Sequence, residues 1–142
     1  RKAVPYRLDG QGRPTRSDVP GEGLDASTGM VSTVRDLARF DVALDDGNLL
    51  DAATRNSAWT RVGSAPMGLG WFVHDERGER VVWHFGLDRG ASSSLVIKVP
   101  ARRLTLILLA NSDGLVGSPY DLSNGRLASN LFASVFLRLF VA

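Results

Sequence analysis

Four short runs between residues 69 and 110 constrain most of what this chain can become. Leu69 to His74 and Arg80 to His84 are rich in Val, Trp and Phe, and Asp75-Glu76-Arg77-Gly78-Glu79 between them is a polar, glycine-containing turn. Ser93 to Val99 and Leu104 to Ala110 make a second pair around Pro100-Ala101-Arg102-Arg103. β-Branched and aromatic runs separated by turn formers predict hairpins. Four of them in succession predict an antiparallel meander. Leu104 to Ala110 is apolar on both faces, which predicts a central strand covered on both sides.

Helical periodicity flanks these runs. A helix opens at Ser32 or Thr33, where Thr33 and Asp36 fit a capping box. Val34, Leu37, Phe40 and Leu44 then recur on one face, and Gly47 is placed to end the helix in a left-handed conformation. A second short helix is predicted from Asp51 to about Trp59. The last helix is predicted over Asp121 to Val141, with Leu127, Leu131, Val135 and Leu139 in one stripe and Phe132, Phe136 and Phe140 in another. Two adjacent stripes make a wide face suited to lying flat on a sheet. A membrane-surface helix is disfavoured, because Arg126 and Arg138 are its only basic residues. Residues 1–28 read as irregular, punctuated by Gly10, Gly12, Pro14, Pro20, Gly21 and Gly23. So long a stretch without structure is expected either to lie across a larger body or to begin in the middle of one. The expected fold is therefore α+β: an irregular crossing segment at 1–28, a helical segment at 29–60, a four-stranded antiparallel sheet at 67–111 and a C-terminal helix at 120–141.

Composition narrows the chemistry. With 142 residues, 44% apolar and 23% charged, the chain has the balance of one globular domain, not of a disordered or fibrous one. Its longest apolar run is far short of the ~20 residues of a membrane span. Cysteine is absent, so there is no disulfide, thiol nucleophile or Cys-ligated metal. Two histidines, His74 and His84, make a His-built metal site unexpected, and no cofactor is implied. The 17 basic residues are interleaved with 15 acidic ones and follow no aromatic stripe, so no nucleic-acid partner is expected.

A hydrolase needs an activated nucleophile. Lys2 and Lys98 are the only lysines, and the position that would complete Ser-x-x-Lys with Lys98 is Leu95, so that motif does not occur. Gly-x-Ser-x-Gly, Tyr-x-Asn and Ser-x-Asn do not occur either, nor does a phosphate-binding glycine loop. What remains is Trp83-His84-Phe85-Gly86-Leu87-Asp88-Arg89-Gly90-Ala91-Ser92, a histidine closing a strand with a glycine two residues on. Gly86 permits close backbone approach of a ligand, and an N–H at Gly86 or Leu87 is placed to meet a developing oxyanion. The same residues also fit a plain hairpin end with His84 as a half-buried polar group. Trp71 and Trp83 read as packing residues, His74 as solvated and Asp36 as a cap. Asn111, Asp113 and the Arg102-Arg103 pair read as turn residues.

The order of these segments resembles one family. Ala26-Ser27-Thr28-Gly29-Met30-Val31-Ser32-Thr33-Val34-Arg35-Asp36-Leu37-Ala38-Arg39-Phe40 is similar to the Ala-Gly-Gly-Leu-x-Ser-Thr-x-x-Asp-Leu-x-x-Phe stretch of the serine β-lactamase-like hydrolases. These are the relatives of class C β-lactamases, D-alanyl-D-alanine peptidases and serine esterases. Met67-Gly68-Leu69-Gly70-Trp71 resembles their Tyr-Gly-Leu-Gly-Trp, and His84-Phe85-Gly86 their Lys-Thr-Gly or His-x-Gly box. Pro100 to Asn111 resembles their closing strand pair.

The resemblance implies a β-lactamase/transpeptidase-like fold of which this chain is the C-terminal portion. In that family the Ser-x-x-Lys nucleophile and the Tyr-x-Asn box precede the first matched segment. The family sheet also takes one more strand from the N-terminal segment. The expected partners are therefore that N-terminal part of the same protein and a small acyl substrate. His84 is expected to tune proton transfer near the serine, and Leu87 to offer an oxyanion-hole N–H. Gly86 is expected to keep the strand edge open to substrate. Phe85 departs from the pattern: it lacks the hydroxyl that would bind a β-lactam carboxylate, which implies an ester or apolar peptide substrate. The whole protein would be a serine hydrolase working through an acyl-enzyme, and this chain alone would be inactive. The competing expectations are a non-catalytic binding or assembly module, whose open sheet edge would take a partner strand, and a degenerate hydrolase. Members acting on cell walls imply an extracytoplasmic or periplasmic setting.

Overall fold

The computed structural model describes residues 2–18, 29–117 and 119–141. Residues 19–28 of the expected crossing segment, including Ala26, Ser27 and Thr28 of the first matched stretch, lie outside the described residues. The elements in order are β1 (Tyr6–Leu8), β2 (Pro14–Arg16), α1 (Val34–Asp45), α2 (Ala52–Ala58), β3 (Phe72–Glu76), β4 (Glu79–Asp88), β5 (Ser92–Val99), β6 (Leu104–Ala110) and α3 (Leu131–Phe140).

Strands β3 to β6 form one antiparallel sheet in the order β3-β4-β5-β6, so the chain is α+β with the expected meander. The β3–β4 turn is tighter than the five-residue turn expected. Glu76 pairs with Glu79, leaving Arg77 and Gly78 as the two turn residues, with φ of 51° and 83°. Two positive φ angles match the right-handed twist of a hairpin. Strand β3 also starts later than expected, at Phe72, because the backbone before it is engaged elsewhere. Gly68 lies so close to α2 that a Cβ would collide with the Ala58 carbonyl oxygen, and its own N–H bonds the Trp71 carbonyl at 2.8 Å.

The two faces of the sheet differ. One carries Val81, Trp83, Leu95, Ile97 and Val99 against Leu115, Val116, Leu122, Leu127 and the inner side of α3, forming the main core. The other carries Val73 and Val82 against Leu44, Ala58 and Trp59, a smaller core that covers only one end of that face. Burial of aliphatic and aromatic side chains at ~25 cal/mol per Å² makes the first face the main source of stability.

Strand β6 corrects the sequence reading. It is the last strand in the order, and among the described residues no strand lies on its far side. Leu104, Leu106, Leu108 and Ala110 pack at the margin of the main core, but Leu109 on the other face is 42% exposed. An apolar run reports two apolar faces; it does not report how many neighbours a strand has.

Helix α1 is capped largely as its sequence implies. Thr33 Oγ1 accepts from the Asp36 N–H at 3.1 Å. The return half of the box differs: the Asp36 carboxylate accepts from the Thr33 hydroxyl at 2.9 Å and from Arg39 at 2.8 Å. At the other end Gly47 has φ 78°, and the Asn48 N–H reaches the Ala43 carbonyl at 2.9 Å, closing a Schellman motif. Of the four residues on the expected apolar face, Leu44 alone is buried, while Val34 and Phe40 stand about half exposed. Helix α2 begins as expected at Asp51, whose carboxylate accepts from the Thr54 N–H at 2.7 Å.

The last helix is shorter than expected and turned differently. It begins only at Leu131, because Asp121 and Asn124 engage the amides of Ser123 and Arg126, each at 2.8 Å, and Gly125 has φ 71°. Such local side-chain bonds compete with helix. The helix starts at the fully buried Asn130, which accepts from Ala133 N–H at 3.1 Å and donates to Leu115 and Tyr120 carbonyls at 2.9 and 3.0 Å. Ala133, Phe136 and Leu137 face the core, whereas Leu131 and Leu139 of the expected stripe point outward, Leu139 being 65% exposed. No helix among the described residues is long and apolar enough to cross a membrane.

The first segment is not wholly irregular. β1 and β2 form a hairpin whose turn is held by Asp9, which accepts from the amides of Gln11 and Arg13 at 2.9 and 2.8 Å. Tyr6 N–H donates to the Asn111 carbonyl at 2.7 Å, and Asn111 Nδ2 donates to the Val4 carbonyl at 2.8 Å. Asn111 is thus more than a turn residue; it fastens the hairpin to the end of β6.

Candidate active site

His84, Phe85, Gly86 and Leu87 all lie within β4, which runs on to Asp88 instead of ending at His84. Phe85 and Leu87 are the reason. Both face the main core, with the Phe85 ring 6.1 Å from Phe72 and 6.2 Å from Trp83, so burial rewards continuing the strand. The turn follows at Arg89-Gly90, where Ala91 N–H bonds the Asp88 carbonyl at 3.0 Å. Asp113 anchors that turn from outside: its carboxylate accepts from Gly90 N–H at 3.0 Å. The buried Ser93 adds a second tie, donating to the Ser112 carbonyl at 2.6 Å.

Alternation divides the four residues between two faces. The His84 side chain is exposed and shares the thinly covered face with Gly86, Ser94 and Val96, its register neighbours on β5. Its ring lies 5.9 Å from that of Phe72, and it has no hydrogen-bond partner among the described residues. Phe85 points the opposite way, into packing, so its side chain does not share the His84 face. Gly86 faces Ser94 directly, and a Cβ there would stand 2.6 Å from Ser94 Oγ.

Backbone direction matters as much. Val73 N–H donates to the Pro66 carbonyl at 2.8 Å, so it is turned away from β4. In an antiparallel ladder the bonding direction alternates along the strand. Phe72 and His74 therefore bond β4, at their register partners Trp83 and Val81. Past Trp83 the strand β3 has ended, and among the described residues no strand pairs with that side of β4. The N–H groups of Phe85 and Leu87 open onto it, beside the exposed His84 face. Of the two oxyanion donors that the sequence suggests, the Leu87 N–H is turned to this side and the Gly86 N–H toward Ser94 on β5.

The same face carries a polar centre that sequence reading missed. Lys98 is fully buried, and its Nζ donates to Asp41 at 2.9 Å, Asp45 at 2.8 Å and Thr105 at 3.3 Å. It pins the C-terminal half of α1 to the sheet, next to Trp59, over whose ring the ammonium sits at 5.9 Å. The signal was present as a single charge inside the apolar run of β5, with two aspartates four apart on α1. Arg102 also does more than mark a turn: it pairs with Glu79 and donates to the Phe140 carbonyl at 2.6 Å, closing the end of α3. Glu79 is held below the ordinary carboxylate range by that guanidinium. Trp83 stacks on its cross-strand partner Phe72 at 4.3 Å, and Trp71 meets Trp59 edge-on at 6.4 Å, both as packing residues. His74 is half-buried, with Nε2 3.2 Å from Glu76. Among the described residues no group of three metal-ligating side chains converges.

No curated protein and no solved structure matches this chain. The Beta-lactamase family model does, over residues 1–129, a span that includes the hairpin, both α1 and α2, and the whole sheet. A match over most of the chain, together with the α+β sheet and its C-terminal helix, places this protein in the beta-lactamase family of serine hydrolase-related proteins.

Proposed function

We propose that these residues form the sheet-side wall of a serine hydrolase active site that works through an acyl-enzyme, with the nucleophile supplied by another part of the same protein. The observation that carries this reading is the conjunction at β4: an exposed imidazole at His84 beside a strand edge onto which the Leu87 N–H opens. An acyl carbonyl lying along that edge would have its developing oxyanion met by the Leu87 amide, with the nucleophile's own N–H as the second donor. The serine hydroxyl would attack the carbonyl carbon and pass its proton to a base in the nucleophile-bearing part. The leaving group would depart with a proton, and water would then hydrolyse the ester formed. His84 would hydrogen-bond beside the reacting hydroxyl and adjust its proton transfer.

Surfaces left uncovered agree with a missing partner segment. Among the described residues Val34, Phe40 and Val42 on α1, Leu131, Phe132, Leu139 and Phe140 on α3, and Leu109 on β6 are large apolar side chains left exposed.

Esters or apolar peptides are favoured over penicillins, because the Phe85 side chain is packed into the core and presents no hydroxyl to a β-lactam carboxylate. The test uses the protein joined to its nucleophile-bearing part, assayed with a short acyl ester and with a penicillin. The ester is expected to turn over faster, and His84→Ala is expected to lower kcat by roughly 10²-fold with a displaced pH profile, a typical worth of one proton-transfer group. Faster penicillin hydrolysis, or an unchanged pH profile in H84A, would overturn the reading.

A further inference from the structure

We propose that Ser94 is a specificity-determining residue of this site, donating a hydrogen bond from its hydroxyl to an uncharged oxygen in the acyl part of the substrate; the inference rests on the function proposed above. Ser94 is the register partner of Gly86 and lies on the same face as His84. It is half-buried, and its hydroxyl has no hydrogen-bond partner among the described residues. Its neighbour Ser93 is by contrast consumed, with its hydroxyl bonded to Ser112 and Leu115.

Glycine at position 86 is what exposes this hydroxyl. Ser94 Oγ stands 2.6 Å from where any Cβ at 86 would be, so the space a side chain would fill is occupied by a polar atom instead. The remaining surface nearby is apolar: Val96 beside Ser94, and Ile107 and Leu109 opposite them on β6. Lys98, the cation on this face of β5, is committed to Asp41 and Asp45. A face with two free polar groups, one imidazole and one hydroxyl, amid aliphatic residues suits a neutral acyl group carrying an acceptor oxygen. A carboxylate beside Ser94 would not be met by Lys98, whose charge is already paired.

Two matched probes test this in the protein joined to its nucleophile-bearing part: the p-nitrophenyl esters of methoxyacetic and butanoic acids, equal in length and differing by one oxygen. Each variant's ratio of kcat/KM for the two esters is compared with the unaltered protein's, which cancels their intrinsic reactivity. Ser94→Ala is expected to lower the ratio about fivefold, the worth of one net hydrogen bond. Ser94→Thr, which keeps the hydroxyl, is expected to retain most of it. Gly86→Ala, whose methyl group displaces the hydroxyl, is expected to lower the ratio as S94A does. An unchanged ratio in S94A, with both esters still hydrolysed, would overturn the role of Ser94 alone. No turnover of either ester by the unaltered protein would overturn the proposed function, and this inference with it.

Discussion

Replacing Lys98 by methionine isolates the electrostatic joint between α1 and the sheet. The ammonium is fully buried and bonds two carboxylates, while Asp41 and Asp45 keep only 17% and 15% of their side-chain surface in contact with solvent. Methionine fills nearly the same volume, so the change removes a charge and leaves little cavity. Breaking a buried ion pair from one side costs about 3–5 kcal/mol, because the abandoned charge remains desolvated. Here two carboxylates one helical turn apart are abandoned together, and their residual solvent access moderates each cost. A loss of about 3 kcal/mol follows. For a chain of this size, ~3 °C per kcal/mol converts it to a fall of about 10 °C in Tm. The assay is thermal unfolding followed by far-UV circular dichroism at fixed protein concentration. Removing the orphaned charges as well, in K98M/D41N/D45N, is expected to recover more than half of the loss. A K98M variant that melts within 2 °C of the unaltered chain, or a triple variant no better than K98M, would refute the reasoning.

Two further outcomes follow from the fold. Gly68→Ala drives a Cβ into the Ala58 carbonyl, a backbone atom that cannot swing aside, so a cost of about 1–3 kcal/mol is expected in chemical denaturation. Glu79 carries a pH signature. Hydrogen bonding to Arg102 lowers its folded pKa below the ordinary 4.5, so the stability it contributes is present above that value and lost as pH falls through the folded pKa. Melting curves of the unaltered chain and E79Q should therefore differ at neutral pH and converge in acid; a gap that stays constant down to about pH 2 would contradict the pairing.

The meander, the three caps and the boundaries of α2 and β6 were legible because each depends on neighbours in sequence. Thr33, Asp51 and Gly47 act on amides or carbonyls within five residues of themselves. What the sequence hid depends on distant partners. Strand β4 outruns His84 because Phe85 finds Phe72 and Trp83, and α3 starts late because Asp121 and Asn124 close turns of their own. The outward stripe of α3 carries the same residue types as an inward one, so periodicity marked an apolar face without saying which side the sheet would take. The same ambiguity misplaced β6. Of the proposed site, His84, Gly86 and Leu87 stand out in the sequence by their spacing and resemblance. Ser94 was not, since its part emerges only from the register that sets it against Gly86.

Under the proposed function, the packing of Phe85 accounts for its place in a box where the resemblance implies a hydroxyl. Its side chain belongs to the core, stacked in the Phe72–Trp83 layer, while the strand's open edge is furnished by backbone that any residue provides. Changes at 85 are therefore expected to act first on stability.

The central claim is that these residues furnish the wall of an acyl-transfer site whose reacting hydroxyl lies elsewhere in the protein. Intact-mass spectrometry after treatment with a fluorophosphonate tests it most directly, first on this chain alone and then on the protein joined to its nucleophile-bearing part. The account predicts no adduct on these 142 residues and a single adduct on the joined protein, mapping outside them. Stoichiometric labelling of the isolated chain would contradict it.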